Sequence, residues 1–247
     1  MGALEQYIRR YEHRRWSTDY RAVLPFGWGL EHIGGRADES DPRGFLDEWV
    51  AKTIASSDEW FAAPPAADYR LIENELTYTS AVASPWQENN EVHARFFPAG
   101  KAGPAVLVMA HWNAKPAEHV AICRWLNALG ISALRLTLPY HDRRATPGHE
   151  RAYNLVGPNI GLTLLANRQA VCDARSCLRW LEQMGYGKLG VLGTSIGSSI
   201  AFITMAHDPA IRAGTFLHVS TYFGAVVSTG ITTTHVWESL QPEMTQE

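Results

Sequence analysis

The chain has 247 residues and a formal net charge of -3, from 22 basic and 25 acidic side chains; 46% of it is hydrophobic, with nine tryptophans. That balance gives no electrostatic footprint for nucleic acid and no acidic disordered block, while the apolar content suits a globular core. The longest unbroken apolar run, 105–110, is too short to span a bilayer, and the first residues lack the apolar stretch of a secretory signal. Glu5 and Glu12 interrupt a transit-peptide reading of Arg9, Arg10, Arg14 and Arg15, so a cytoplasmic location is expected. Three cysteines, an odd count, make no disulfide framework. Cys172 and Cys177 lie five apart on a predicted helix, on different faces, and so share neither a bridge nor a metal.

Residues 1–62 read as a helical arm. Leu4, Tyr7, Ile8 and Tyr11 recur at helical spacing opposite a solvated arginine face, and the arm as a whole is expected to pack its aromatic side on the main domain. Phe26-Gly-Trp-Gly29 and Gly34-Gly35 break the pattern, then Asp41-Pro42 opens a second helix carrying Phe45, Leu46, Trp49 and Val50. Ala62-Ala-Pro-Pro-Ala-Ala67 reads as a linker into a core over 68–247. Partial alternation over 69–82, a turn at 85–90 and renewed alternation over 92–97 predict an antiparallel hairpin.

Beyond the hairpin the texture changes. Residues 105–110 predict a buried strand, Pro116 opens a helix closed by Gly130, and 131–138 is the next strand, a βαβ unit with parallel strands. Residues 139–165 form a long excursion rich in Pro, Gly, His and Arg. A helix over 166–184 leads to a strand from Lys188, a helix to His207, a stop at Asp208-Pro209 and a last apolar strand over 213–219. An antiparallel hairpin followed by parallel strands with helices on both faces defines an α/β class.

The chemistry concentrates at Gly193-Thr-Ser-Ile-Gly197, between that strand and a helix bearing Ile196, Ile200 and Ile203. In a G-x-S-x-G elbow the serine turns a strand sharply into a helix, and the flanking glycines let the two approach. The turn lifts the Ser195 hydroxyl clear of the sheet while the first helical N–H groups point at whatever it attacks, a geometry for acyl transfer. A glycine-rich turn whose serine only caps the helix is the structural alternative.

This order, with the elbow after the third parallel strand, resembles the α/β-hydrolase fold over 69–230. The elbow matches the family's nucleophile motif, which implies Ser195 as nucleophile and the Ile196 N–H as one oxyanion donor. His111-Trp112-Asn113 stands where the family carries its His-Gly oxyanion loop. Trp112 replaces the glycine, and the N–H of Trp112 or Asn113 is implied as the second donor. Leu138-Pro-Tyr-His-Asp-Arg-Arg144, the segment 180–190, Ser220-Thr221 and Ser228-Thr-Gly230 are similar to one abhydrolase-domain branch. The resemblance implies a serine hydrolase acting on a small-molecule ester or related acyl bond, with no cofactor and no metal.

A base and an acid are harder to place. The family's acid and histidine follow two later strands, and the 28 residues from Ser220 to Glu247 are too few for both, so the C-terminal part is expected to be missing. By position His111, His141 and His218 are the candidate bases. His111 reads better as part of the oxyanion loop, His141 as pocket lining and His218 as a residue inside the last strand; His235 is no better placed. Asp142 and Asp173 read as surface or capping residues rather than triad acids. His141, Asp142, His149 and Glu150 match no zinc spacing and read as a solvated or pocket-lining cluster. A catalytically incomplete fragment or binding module is the alternative function, and oligomeric state is left open.

Overall fold

The computed structural model describes residues 2–18, 21–100, 103–149 and 151–244. In chain order it contains α1 (Ala3–Thr18), α2 (Pro42–Ala55), α3 (Ser57–Trp60), β1 (Arg70–Ile72), β2 (Glu75–Thr79), α4 (Gln87–Asn90), β3 (Glu91–Phe97), β4 (Pro104–Met109), α5 (Val120–Ala128) and β5 (Ser132–Leu136). There follow α6 (Ile160–Gln183), β6 (Lys188–Thr194), α7 (Ile196–His207), β7 (Ile211–Leu217), α8 (Phe223–Thr229) and α9 (Thr234–Met244). One seven-stranded sheet runs β1-β2-β3-β5-β4-β6-β7. The first three strands and the β3–β5 pair are antiparallel, while β5, β4, β6 and β7 are mutually parallel, with Leu107 opposite both Leu134 and Val191.

Period-two alternation along β4 sorts the layers. Leu107 and Met109 pack with Val171, Leu178, Ile196 and Ile200 of α6 and α7. Val106 and Val108 pack with Cys123 and Leu126 of α5 on the opposite face. Both faces of the central strands are therefore covered, and these strands read as continuous apolar runs.

Several expected boundaries move. The helix after β4 starts at Val120 rather than Pro116, because His119 takes a left-handed backbone (φ 67°) that cannot continue a helix N-terminally. α6 begins at Ile160 rather than 166: the Asn159 side chain accepts the Leu162 N–H as an N-cap, and Gly161 N–H donates to Trp28 O of the arm. The segment 87–90 is a helical turn rather than a simple bend. β7 ends at Leu217, so His218 (φ 57°) follows the strand instead of lying within it.

The arm divides. Leu30 and Ile33 are buried, and Gly27 lies against Asn159. In α1, however, Leu4, Tyr7, Ile8 and Tyr11 stay exposed, Leu4 at 72%.

Asp173 is the other departure, because it is neither exposed nor a cap. It is fully buried on α6, where Oδ2 accepts from Arg144 Nη2 at 2.8 Å and Oδ1 accepts from the Ser80 hydroxyl at 2.6 Å. Arg144, equally buried, also donates to Asn89 O and Thr137 O. Burial raises the Asp173 pKa despite the opposing guanidinium, so desolvation outweighs the attraction. The outer edge of β7 has no strand partner among the described residues, and Arg212 to Thr215 are exposed.

Candidate active site

The corner between β6 and α7 is built around Ser195, whose backbone at φ 55°, ψ -123° is in a region rarely taken by residues other than glycine. Its N–H donates to Leu217 O at 2.8 Å and its carbonyl accepts from Ser198 N–H, while the residue remains exposed. The flanking glycines are required sterically. A Cβ on Gly193 would strike the Gly197 carbonyl oxygen, and one on Gly197 would sit 2.5 Å from Met109 O and closer still to Ala110 O. The elbow helix thus lies directly against the end of β4, where the 111–114 turn begins.

Gly197→Ala is expected to push these two backbones apart. It should cost about 1–3 kcal/mol of stability by overpacking, read from urea denaturation, with any Ser195-dependent ester hydrolysis reduced about tenfold or more.

Neither the Ile196 N–H at the start of α7, as for any helical first turn, nor the Trp112 N–H has a hydrogen-bond acceptor among the described residues. Asn113 differs. Its N–H donates to His141 Nε2 at 2.8 Å, and its Oδ1 accepts the Ala152 N–H at 2.9 Å. The Trp112 side chain is held by Nε1 donating to Ala152 O and by the indole stacking at 5° on the His235 ring of α9.

Among the described residues no histidine hydrogen-bonds Ser195. Ser195 Oγ makes no hydrogen bond among the described residues. His141 is 6% exposed, with Nδ1 against Pro139 O at 2.9 Å and Nε2 accepting from Asn113; burial first, then the charges of Arg144 and Arg135, lowers its pKa to about 4. Neutral and engaged at both nitrogens, it is no candidate base. His111 Nε2 lies 3.5 Å from Glu118 Oε2. His119, not singled out from the sequence, reaches Thr194 Oγ1 at 3.1 Å, and its pKa is lowered chiefly by burial. Its only sequence signal was proximity to His111.

Of the loop cluster, His149 packs edge-on to Tyr153 and Glu150 lies outside the described residues. Among the described residues no three His, Cys, Asp or Glu side chains gather as a metal site, and no helix is long and apolar enough to cross a membrane.

A cavity of about 310 Å³ opens beside the elbow, lined by Phe61, Val171, Ile196, Ser199, Phe202 and Phe223 among others. Its walls come from α6, α7, the segment after β7 and Phe61 at the end of α3. The only lining positions from the 139–165 excursion are Thr163 and Leu164, which lie in α6.

A mixed sheet in this order, with a serine at a positive-φ corner between the third parallel strand and its helix, is an α/β-hydrolase fold. The model of the family described as "Alpha/beta hydrolase domain containing 18" matches residues 114–247, more than half of the chain, and the chain belongs to that family. No curated protein matches the sequence. Among solved structures, the α/β hydrolase GrgF from Penicillium sp. sh18 is 19% identical, with 57% of this chain and 43% of that chain covered and a TM-score of 0.44. An esterase of Pyrococcus furiosus is 15% identical, with 68% and 62% covered and a TM-score of 0.47. Est1E of Butyrivibrio proteoclasticus, solved with bound ferulic acid, is 14% identical, with 57% and 53% covered and a TM-score of 0.44. The chain spans about half the length of the solved structures it matches.

Proposed function

We propose that this chain carries the nucleophile and oxyanion portion of a serine hydrolase acting on a small-molecule carboxylic ester or related acyl bond. Ser195 Oγ attacks the carbonyl carbon as its proton passes to solvent water, and the C=O π electrons move onto the carbonyl oxygen, where the N–H groups of Ile196 and Trp112 receive them. Collapse expels the ester's alcohol with a proton from water, and a second water hydrolyses the acyl-enzyme to the acid and free Ser195. The observation that supports this best is the pairing of an exposed serine at a strained corner with two unengaged backbone donors from elements in direct contact. The apolar cavity beside Ile196 offers room for the substrate's non-reacting part. Three free, buried cysteines suit a reducing compartment, and a cytoplasmic location belongs to the proposal.

A second reading, a hydrolase fold used as a non-catalytic binding module, is favoured by one observation: no histidine or carboxylate hydrogen-bonds Ser195 among the described residues. Labelling with a fluorophosphonate, followed by mass spectrometry of the modified peptide, separates the two. The adduct is expected on Ser195, and a purified, folded chain that takes no label there refutes the hydrolase reading.

A further inference from the structure

We propose that His141 is a positioning residue for the oxyanion donor: by accepting the Asn113 N–H it holds the 111–114 turn so that the Trp112 N–H faces the carbonyl attacked by Ser195. The proposal rests on the hydrolase reading above and assigns one donor where two were open.

The hydrogen bonds define the His141 ring. Pro139 O can only accept, so Nδ1 carries the proton; the Asn113 N–H can only donate, so Nε2 carries the lone pair. One neutral tautomer satisfies both contacts. The bond it makes is directed at a strained residue, since Asn113 has φ 60° without being glycine, and such a backbone persists only when its surroundings over-determine it. The turn is clamped from two sides. On one, Ala152 takes the Trp112 indole N–H on its carbonyl and gives its own N–H to Asn113 Oδ1. On the other stands His141.

His141 is itself held by an anchored loop. Its neighbours Tyr140 (φ 64°) and Asp142 (φ 50°) are also strained, and Tyr140 N–H donates to Asn89 Oδ1. Arg144 ties the loop's end to Asn89 O, Thr137 O and buried Asp173. The charged or titratable groups around the ring are Arg144, Arg135, His111 and the exposed Asp142. Two cations beside a buried imidazole oppose its protonation. A protonated ring would set N–H against N–H and release the turn.

The test compares His141→Leu, which keeps bulk but offers no acceptor, with His141→Gln, whose Oε1 can replace Nε2. For p-nitrophenyl acetate, the leucine variant is expected to lose about 100-fold in kcat with KM within about threefold, because a transition-state donor is displaced. Asn113 amide hydrogen exchange should rise in parallel. The glutamine variant is expected to recover kcat to within about tenfold of wild type and to restore Asn113 protection. The wild-type chain supplies a further readout independent of folding in the variants: ring ¹⁵N shifts should report a neutral His141 with its proton on Nδ1 from about pH 5 upward. Unchanged kcat and exchange in His141→Leu, no recovery in a folded His141→Gln, or the opposite tautomer would each overturn the positioning role. A wild-type chain whose Ser195 takes no label overturns the hydrolase reading and this role together. A labelled wild type with an unaffected leucine variant overturns this role alone.

Discussion

Ser195→Ala is expected to lower kcat for an activated phenyl ester by about 10³-fold or more while leaving KM within about threefold. In the proposed reaction the exposed hydroxyl at the β6–α7 corner is the nucleophile, so its loss leaves water to attack a carbonyl that the proposed Ile196 and Trp112 donors still hold. KM is expected to hold because Ser195 does not line the cavity proposed for the substrate's non-reacting part. A residual rate above the uncatalysed reaction is expected from the oxyanion donors alone. Ser195→Cys separates an inaccessible corner from an unactivated one, since a few per cent of an ordinary thiol is ionised at neutral pH without any base beside it. Alkylation of that cysteine by iodoacetamide should proceed at the rate of an exposed thiol. If Ser195→Ala keeps the wild-type kcat, the hydrolysis arises elsewhere.

Asp173→Ala should have the largest effect on stability, a loss of about 3–5 kcal/mol, because it leaves the Arg144 guanidinium buried without a counter-charge. For a chain of this size that corresponds to a fall of roughly 10 °C or more in Tm. Asp173→Asn removes the charge and keeps one acceptor oxygen, which can serve Arg144 Nη2 while the amide NH2 is presented to the Ser80 hydroxyl oxygen. It is expected to fall between wild type and alanine, at about 1–3 kcal/mol, where hydrogen bonding to the guanidinium rather than charge pairing sets the loss. Urea denaturation of the three proteins measures the order. A loss below about 1 kcal/mol in Asp173→Ala would show that water reaches the pair. Because taking both charges out of water offsets much of their attraction, this pair is better understood as pinning the 139–144 loop, through Arg144, than as stabilising the sheet.

The sequence by itself determined the layered α/β class, the antiparallel start, the parallel series and the elbow. Each is written in neighbouring residues: alternation over 92–97, the apolar run 105–110, and glycines on either side of Thr194-Ser195-Ile196, whose spacing alone demands a close approach of strand and helix. Boundaries drifted where a cap belonged to a distant contact, as when the arm at Trp28 meets Gly161 and extends α6 forward to Ile160. That the Asn113 N–H is already engaged is visible only in the tertiary structure, because its acceptor is a ring 28 residues away. The same holds for Asp173, which local pattern cannot distinguish from an exposed helical acid until Arg144 and Ser80 close over it. It also holds for the α1 stripe, whose spacing predicts a buried face whether or not a surface arrives to cover it. Periodicity records which side of an element is apolar; which groups meet there is decided by chain segments that only the folded sheet brings within hydrogen-bonding distance.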